Sequence, residues 1–223
     1  MTWAWKQQDD LRYLILPEWN EHGVVVAFTT RIGGLSSGPF QSLNLGLHVD
    51  DQQDLVIANR ELVCQSLGFD LKQMVCCEQI HDNRVVVVEK QDAGRGSISH
   101  NDSLPGYDAM ITDCPGMFLT EFYADCIPIY LFDPEKRVIG LVHSGWKGTA
   151  LRIAEATISI MRNRFDCQTE NIKAFIGPGI GSECYHVDEN RRSHVESLFT
   201  FHDEVIYSND GGNRYGWDLQ LTN

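Results

Sequence analysis

A chain of 223 residues that is 43% hydrophobic is long enough for one substantial core and too apolar to be disordered throughout. Its formal net charge of −13 argues against a binder of nucleic-acid backbones, which shows a basic face, yet leaves room for a small anionic substrate at a local positive site. No apolar run approaches the roughly 18 residues a membrane helix needs, and "MTWAWKQQDDLRY" lacks the basic start and apolar core of a secretory signal.

The seven cysteines form no CxxC pair, so reduced thiols in the cytoplasm are expected rather than a disulfide framework. The adjacent Cys76 and Cys77 read as small buried hydrophobes.

Along the chain, the β-branched run Gly23–Arg31 predicts a strand. The Gly- and Ser-rich stretch Ile32–Asp51 predicts a long loop of the kind that often carries function. The period then changes. Leu55, Ala58, Leu62 and Leu67 recur at helical spacing, with Asp54 as the expected cap and Gly68 as the stop. Val75–Glu89 reads as two strands around a polar turn at Asp82–Asn83, and "QDAGRGSISHNDSLPG" as a surface loop. Four more strands are expected at Ala109–Asp113, Met117–Tyr123, Pro128–Phe132 and Val138–His143. The last two are joined in a hairpin by the turn "DPEK", Asp133–Lys136, with proline at its second position. A helix "TALRIAEATISIMRNRF" follows, capped by Thr149, with Ala150, Ala154, Ile158, Met161 and Phe165 as its apolar stripe. "IKAFIGPGIG" is one more strand, ending in a glycine-rich turn. Strands outnumber long helices, which predicts an α+β fold with mixed sheets in layers and helices packed outside.

Three segments can carry chemistry. In "GLVHSGWKG", His143 closes a strand and precedes a glycine turn into a helix. It is either a buried structural histidine or a functional one placed where ligands sit in open α/β layouts. Gly145 and Gly148 allow close backbone approach, Lys147 adds positive charge, and the helix start favours an anion. In "YADC", Cys126 is either a small buried hydrophobe or a reactive or metal-binding thiol beside Asp125. The hairpin places Cys126 and His143 near the same outer strand ends. In "EQIHD", His81 stands just before a turn. Two histidines and a cysteine meeting at strand ends suit Zn²⁺ and leave its fourth position open.

The segments "TTRIGG…SLNLG", "QIHD", "YDAMIT", "ADCIPI", "GLVHSGWKG" and "FIGPGIG…CY" occur in the order found in the laccase-domain family, which this chain resembles from about Phe28 to its end. Members of that family bear names such as polyphenol oxidase, purine nucleoside phosphorylase and peptidoglycan editing factor. The resemblance implies that His81, Cys126 and His143 are metal ligands, usually for zinc. It also implies an α+β fold similar to the catalytic domain of a bacterial cytotoxic necrotizing factor. The implied reactions are phosphorolysis of adenosine, inosine and S-methyl-5′-thioadenosine, with inorganic phosphate as co-substrate, and deamination of adenosine. The implied partners are small purine nucleosides, for a monomer or homodimer. This chain differs from the family pattern at Ser144, Lys147 and His186, where the family commonly has Ala, Arg and Glu. A single domain over 1–223 is expected, cut short at "GWDLQLTN", where family members usually continue.

On that reading His143, Cys126 and Asp125 are the candidate catalytic residues, Asp125 as an outer positioning group or proton carrier. Arg31, Asn44, Lys147 and Gly145 are the candidate substrate and phosphate contacts. Three alternatives stand beside it. One is a copper-dependent phenol oxidase, since His₂Cys also makes copper sites. Another is a hydrolase editing peptidoglycan precursors, with Cys126 as nucleophile and His143 as base. The third is a non-enzymatic module built round a structural zinc.

Overall fold

The computed structural model describes residues 2–199, 205–208 and 215–223. The chain divides into two compact units, each assembled from separated segments. One comprises Met1–Glu78, Val88–Pro105 and Cys114–Phe122, and the other Gln79–Val87, Gly106–Asp113 and Tyr123–Asn223. Mixed parallel and antiparallel pairing with helices alongside makes the fold α+β, as expected from the sequence.

In the first unit, strands β1 (Ala4–Gln8), β2 (Leu11–Ile15) and β3 (Ala27–Thr29) form an antiparallel sheet. The strand expected over Gly23–Arg31 is thus only Ala27–Thr29. Residues 23 and 24 are spent closing the short helix α1 (Pro17–Asn20), with Gly23 N–H donating to Asn20 and Val24 N–H to Trp19.

Helix α2 (Gln53–Leu67) forms where the period predicts, and Gly68 ends it in the left-handed conformation. Its N-cap is Gln52; Asp54 lies in the first turn instead. The deepest face is also displaced from the expected Leu stripe: Val56, Asn59, Arg60, Val63 and Cys64 are the buried residues. Two of these are polar because they organise loops. The buried Asn59 side chain accepts from Leu35 N–H and donates to Ser36 Oγ and to the Ser42 and Asn44 carbonyls. Arg60 donates to the carbonyls of Leu45, Gly96 and Ser97, and its guanidinium lies 4.6 Å from the Phe122 ring. The loop Ile32–Asp51 is therefore pinned to a helix rather than left loose. Two strands, β4 (Met74–Cys76) and β7 (Phe118–Thr120), pair in parallel here. Cys76 and Cys77 are both buried, in accord with their reading as small hydrophobes.

The second unit is built on a five-stranded sheet of β5 (Val85–Val87), β6 (Ala109–Thr112), β8 (Ile127–Asp133), β9 (Val138–Ser144) and β10 (Lys173–Ile176), in spatial order β10-β8-β9-β6-β5. The expected hairpin is present: β8 and β9 pair antiparallel, with His143 opposite Pro128 and Asp133 opposite Val138. Asp133 Oδ1 accepts the N–H groups of Glu135 and Lys136, which holds the turn. The two strands expected in Val75–Glu89 both form, but they are β4 and β5, which pair with different partners in different units.

The helix expected over Thr149–Phe165 is two: α3 (Trp146–Ala150) and α4 (Ile153–Phe165). Arg152 breaks them with φ 57° and ψ 50°, and Gly145, not Thr149, is the N-cap of α3. The left-handed residue re-aims the chain so that Ile153, Thr157 and Met161 become the buried stripe, at i, i+4 and i+8. Ala154, Ile158 and Phe165 pack less deeply against the same core. Helix α4 lies against β9, β6 and β5. A small sheet of β11 (His186–Val187), β13 (Tyr215–Trp217) and β12 (Ile206–Ser208), helix α5 (Glu189–Leu198) and a short helix Leu219–Thr222 complete the unit.

Candidate functional site

In the sheet of the second unit, β5 and β6 run parallel, while β9 runs antiparallel to both β6 and β8. The starts of β5, β6 and β8 and the end of β9 therefore share one edge. Cys126 directly precedes β8, His143 is the penultimate residue of β9, and Asp108 directly precedes β6. His81 reaches the same place from the loop before β5. Their positions bring three potential ligand atoms, one each from His81, Cys126 and His143, within 4.8 Å of one another. Among the described residues this is the one group of His, Cys, Asp or Glu so arranged.

Asp108 holds the arrangement together and is 0% exposed. Its carboxylate accepts the backbone N–H groups of Ile80, His81 and Asp82 at 3.1, 2.9 and 2.9 Å. Oδ1 also lies 2.8 Å from His143 Nδ1, and the Asp108 carbonyl accepts the His143 N–H at 2.8 Å. With Nδ1 so engaged, Nε2 is the His143 nitrogen left for a ligand. Burial alone would raise the Asp108 pKa, but the His143 bond and the Asp82 and His81 N–H groups outweigh it and hold it below the usual value. The same bonds fix the backbone at His81, which sits at φ 61°, a left-handed conformation uncommon outside glycine.

Burial lowers the His81 pKa, and His143 and Lys147 lower it further against the opposing charge of Asp108, which favours the neutral form that ligates a metal. Burial, with the charges of Asp125 and Asp108, pushes the Cys126 thiol up to about 11. The imidazoles of His81 and His143 meet edge to face at 4.8 Å, and Tyr123 donates its hydroxyl to the Val142 carbonyl beside them.

Gly145 shows why glycine follows this strand. A Cβ there would lie 2.9 Å from Cys126 Sγ and 3.1 Å from His81 Cδ2, so any side chain would intrude on the group. The glycine-rich turn after β10 packs equally closely. Ile180 N–H donates to the Asp125 carbonyl, and a Cβ on Gly179 would meet the Asp125 and Cys126 carbonyls at 3.1 and 3.2 Å.

The other residues singled out in the sequence are placed as follows. Asp125 is exposed, and its backbone rather than its side chain anchors the Ile180 turn. Lys147 is exposed, with Nζ 5.7 Å from the Trp146 ring. Because α3 has only five residues, it does not supply the extended helix start expected to favour an anion. Trp146 is partly buried against the main core of its unit. Ser144 is buried and hydrogen-bonds Thr149 and Asn223, while His186 is exposed on β11 opposite Gly216. Arg31 and Asn44 belong to the first unit and are engaged there. Arg31 clasps the Gln41 carbonyl through Nε and a terminal nitrogen, and Asn44 bonds Asp51 and Gly46. The residue that sequence reasoning missed is Asp108. Its signal lay in "YDAMIT", where an acid immediately precedes the apolar run Ala109–Ile111.

A family model described as "Multi-copper polyphenol oxidoreductase laccase" matches residues 25–223. The chain is 37% identical over 201 residues to "Purine nucleoside phosphorylase YlmD" of Geobacillus stearothermophilus, covering 90% of this chain and 73% of that protein. Among solved structures, that of Bacillus licheniformis hypothetical protein YfiH is similar with TM-score 0.91 and 35% identity, over 98% of this chain and 80% of that one. The crystal structure of YlmD from Geobacillus stearothermophilus is similar with TM-score 0.91 and 34% identity, over 99% of this chain and 82% of that one. The chain belongs to the multi-copper polyphenol oxidoreductase laccase family.

Proposed function

We propose that the chain is a zinc-dependent purine nucleoside phosphorylase. Its substrates would be adenosine, inosine and S-methyl-5′-thioadenosine, inorganic phosphate would be co-substrate, and adenosine would also be deaminated. The observation that carries the reading is the grouping of His81, Cys126 and His143 around Asp108, in a chain related to proteins named purine nucleoside phosphorylase. The donor set fits zinc: two imidazoles and one thiol, with His143 oriented by a buried carboxylate. His81, Cys126 and His143 would hold the ion, and zinc there would polarise a substrate group or lower the pKa of a water to about 7.

In phosphorolysis a phosphate oxygen bonds to ribose C1′ as the C1′–N9 bond breaks, and the base leaves with that electron pair and takes a proton. In deamination, water adds at C6 of the adenine and ammonia leaves. Asp108 keeps His143 in one tautomer and holds the His81 turn, so neither ligand reorganises during reaction. Asp125, exposed beside Cys126, is the proposed proton carrier, and Lys147 supplies positive charge for phosphate.

The family description favours a second reading, a copper enzyme acting on phenols. One group of three ligands among the described residues suits a mononuclear site better than four-electron reduction of oxygen. A hydrolase with Cys126 as nucleophile is disfavoured by its thiol, pushed up to about 11 where activated cysteines fall well below neutral or near it.

Incubation with each nucleoside, with and without phosphate, followed by product and metal analysis tests the reading. Phosphate-dependent release of base with stoichiometric zinc is expected. Copper with phenol turnover and no base release would overturn it.

A further inference from the structure

We propose that Arg191 and Lys147, gathered on the indole of Trp146, form an anion clamp that takes inorganic phosphate beside the His81–Cys126–His143 group. The inference rests on the phosphorylase reading for the identity of the anion, but its geometry stands by itself. Helix α5 opens at Asp188, whose carboxylate accepts the Arg191 N–H at 2.9 Å and so fixes Arg191 in the first turn. From there the guanidinium reaches over the Trp146 ring, 5.0 Å from its centroid, and Lys147 Nζ lies 5.7 Å from the same centroid. Trp146 directly follows Gly145, whose Cα faces Cys126 Sγ so closely that a Cβ would stand 2.9 Å from the sulfur.

The neighbouring arginine makes the contrast. Arg192 is neutralised by Glu189 and Glu196 on its own helix. Among the ion pairs of the described residues, none involves Arg191 or Lys147, although the chain carries a net charge of −13. Two exposed cations held at one aromatic ring raise the local attraction for an anion. Arginine adds a planar fork that matches phosphate oxygens two at a time, while lysine adds a point charge. Both cations lie at the ring of the residue next to Gly145, the glycine packed against Cys126 and His81. A nucleoside carries no charge, so the anionic reactant of the proposed reaction is the phosphate. Both cations lie within about 6 Å of the Trp146 centroid, which makes the ring a platform for the clamp.

The test is calorimetry with inorganic phosphate on the wild type, Arg191→Ala, Arg191→Lys and Lys147→Ala, paired with phosphorolysis kinetics. Arg164→Ala, an exposed cation on α4, controls for the loss of one charge. Arg191→Ala is expected to weaken phosphate binding by about tenfold or more, as for the loss of a charge-assisted contact. Arg191→Lys should restore part of this, and Arg164→Ala should match the wild type. In turnover, the KM for phosphate should rise while the nucleoside KM, kcat and metal content hold. Unchanged phosphate affinity in Arg191→Ala overturns the clamp, as does binding of AMP without binding of inorganic phosphate. If Arg191-dependent phosphate binding is found but no nucleoside is cleaved, the clamp stands and the phosphorylase reading falls. If cleavage proceeds with an unaltered phosphate KM in Arg191→Ala, the reading stands and the clamp falls.

Discussion

Asp108 meets His143 twice, through Oδ1 at 2.8 Å from the imidazole Nδ1 and through its carbonyl, which accepts the His143 N–H at 2.8 Å. The same carboxylate carries the backbone of the His81 turn. One buried side chain thus sets both imidazoles, and the third potential ligand, Cys126, comes from the start of the adjacent strand β8.

Asp108→Asn is the direct test of that relationship. The amide replaces one acceptor oxygen with a donor, which faces either the Ile80–Asp82 N–H groups or the His143 ring. Zinc affinity, measured by chelator competition, should fall roughly 10–100-fold. Unchanged affinity would mean that Asp108 is structural only.

Gly145→Ala places a methyl group 2.9 Å from Cys126 Sγ and 3.1 Å from His81 Cδ2. Bound zinc should be lost or much weakened, with a stability cost of about 1–3 kcal/mol typical of overpacking. Metal content and a melting curve on the same sample separate the two effects. Wild-type zinc content in the variant would show that the group tolerates a Cβ there.

Cys126→Ala should lose metal and turnover while the fold is largely retained, because the sheet core lies on other side chains, among them Ile127, Ile129 and Val142. Unfolding on loss of the thiol would support a structural zinc instead. Circular dichroism and metal analysis decide between them.

The pH dependence follows from the thiol, which burial and the charges of Asp125 and Asp108 push up to about 11. Binding zinc removes its proton, so apparent affinity should rise with pH, by up to about tenfold per unit below that value. His81, its pKa lowered by burial, is already neutral near pH 7 and adds little to the slope. In the metal-free protein the sign is reversed. Cys126 and Cys64 are raised to about 11 and Cys76 and Cys167 to about 12, against an ordinary 9.0. A raised folded pKa favours the neutral thiol, so that stability is present below pH 9.0 and is lost as pH climbs through those values. Melting temperatures should fall across this alkaline range, with zinc offsetting the Cys126 share.

Asn59→Ala removes the side chain that bonds Leu35, Ser36, Ser42 and Asn44. Losing these four hydrogen bonds from a fully buried amide should cost about 2–4 kcal/mol in denaturant titration. A change below about 0.5 kcal/mol, the level of an ordinary surface substitution, would show that the loop holds itself.

The sequence by itself determined the elements whose signals are local. Period and a terminal glycine place α2, the "DPEK" turn places the β8–β9 hairpin, and the run after Asp133–Lys136 ends at His143. That hairpin alone put Cys126 and His143 at one edge, and the ordered segments "QIHD", "ADCIPI" and "GLVHSGWKG" carried the family resemblance. Local patterns say nothing of partners distant in the chain. Only the tertiary structure decided that β4 and β5 belong to different sheets, because pairing depends on which strands meet rather than on their own residues. It alone split the expected helix at Arg152, since a left-handed residue there turns Ile153, Thr157 and Met161 onto the sheet. Asp108 was in plain view in the sequence, but a carboxylate becomes an orienting group only when the fold buries it against the N–H groups of residues 80–82 and the ring of His143. Arg191 is likewise one of two adjacent arginines in the chain; the helix turn sends Arg192 to Glu196 and leaves Arg191 over Trp146.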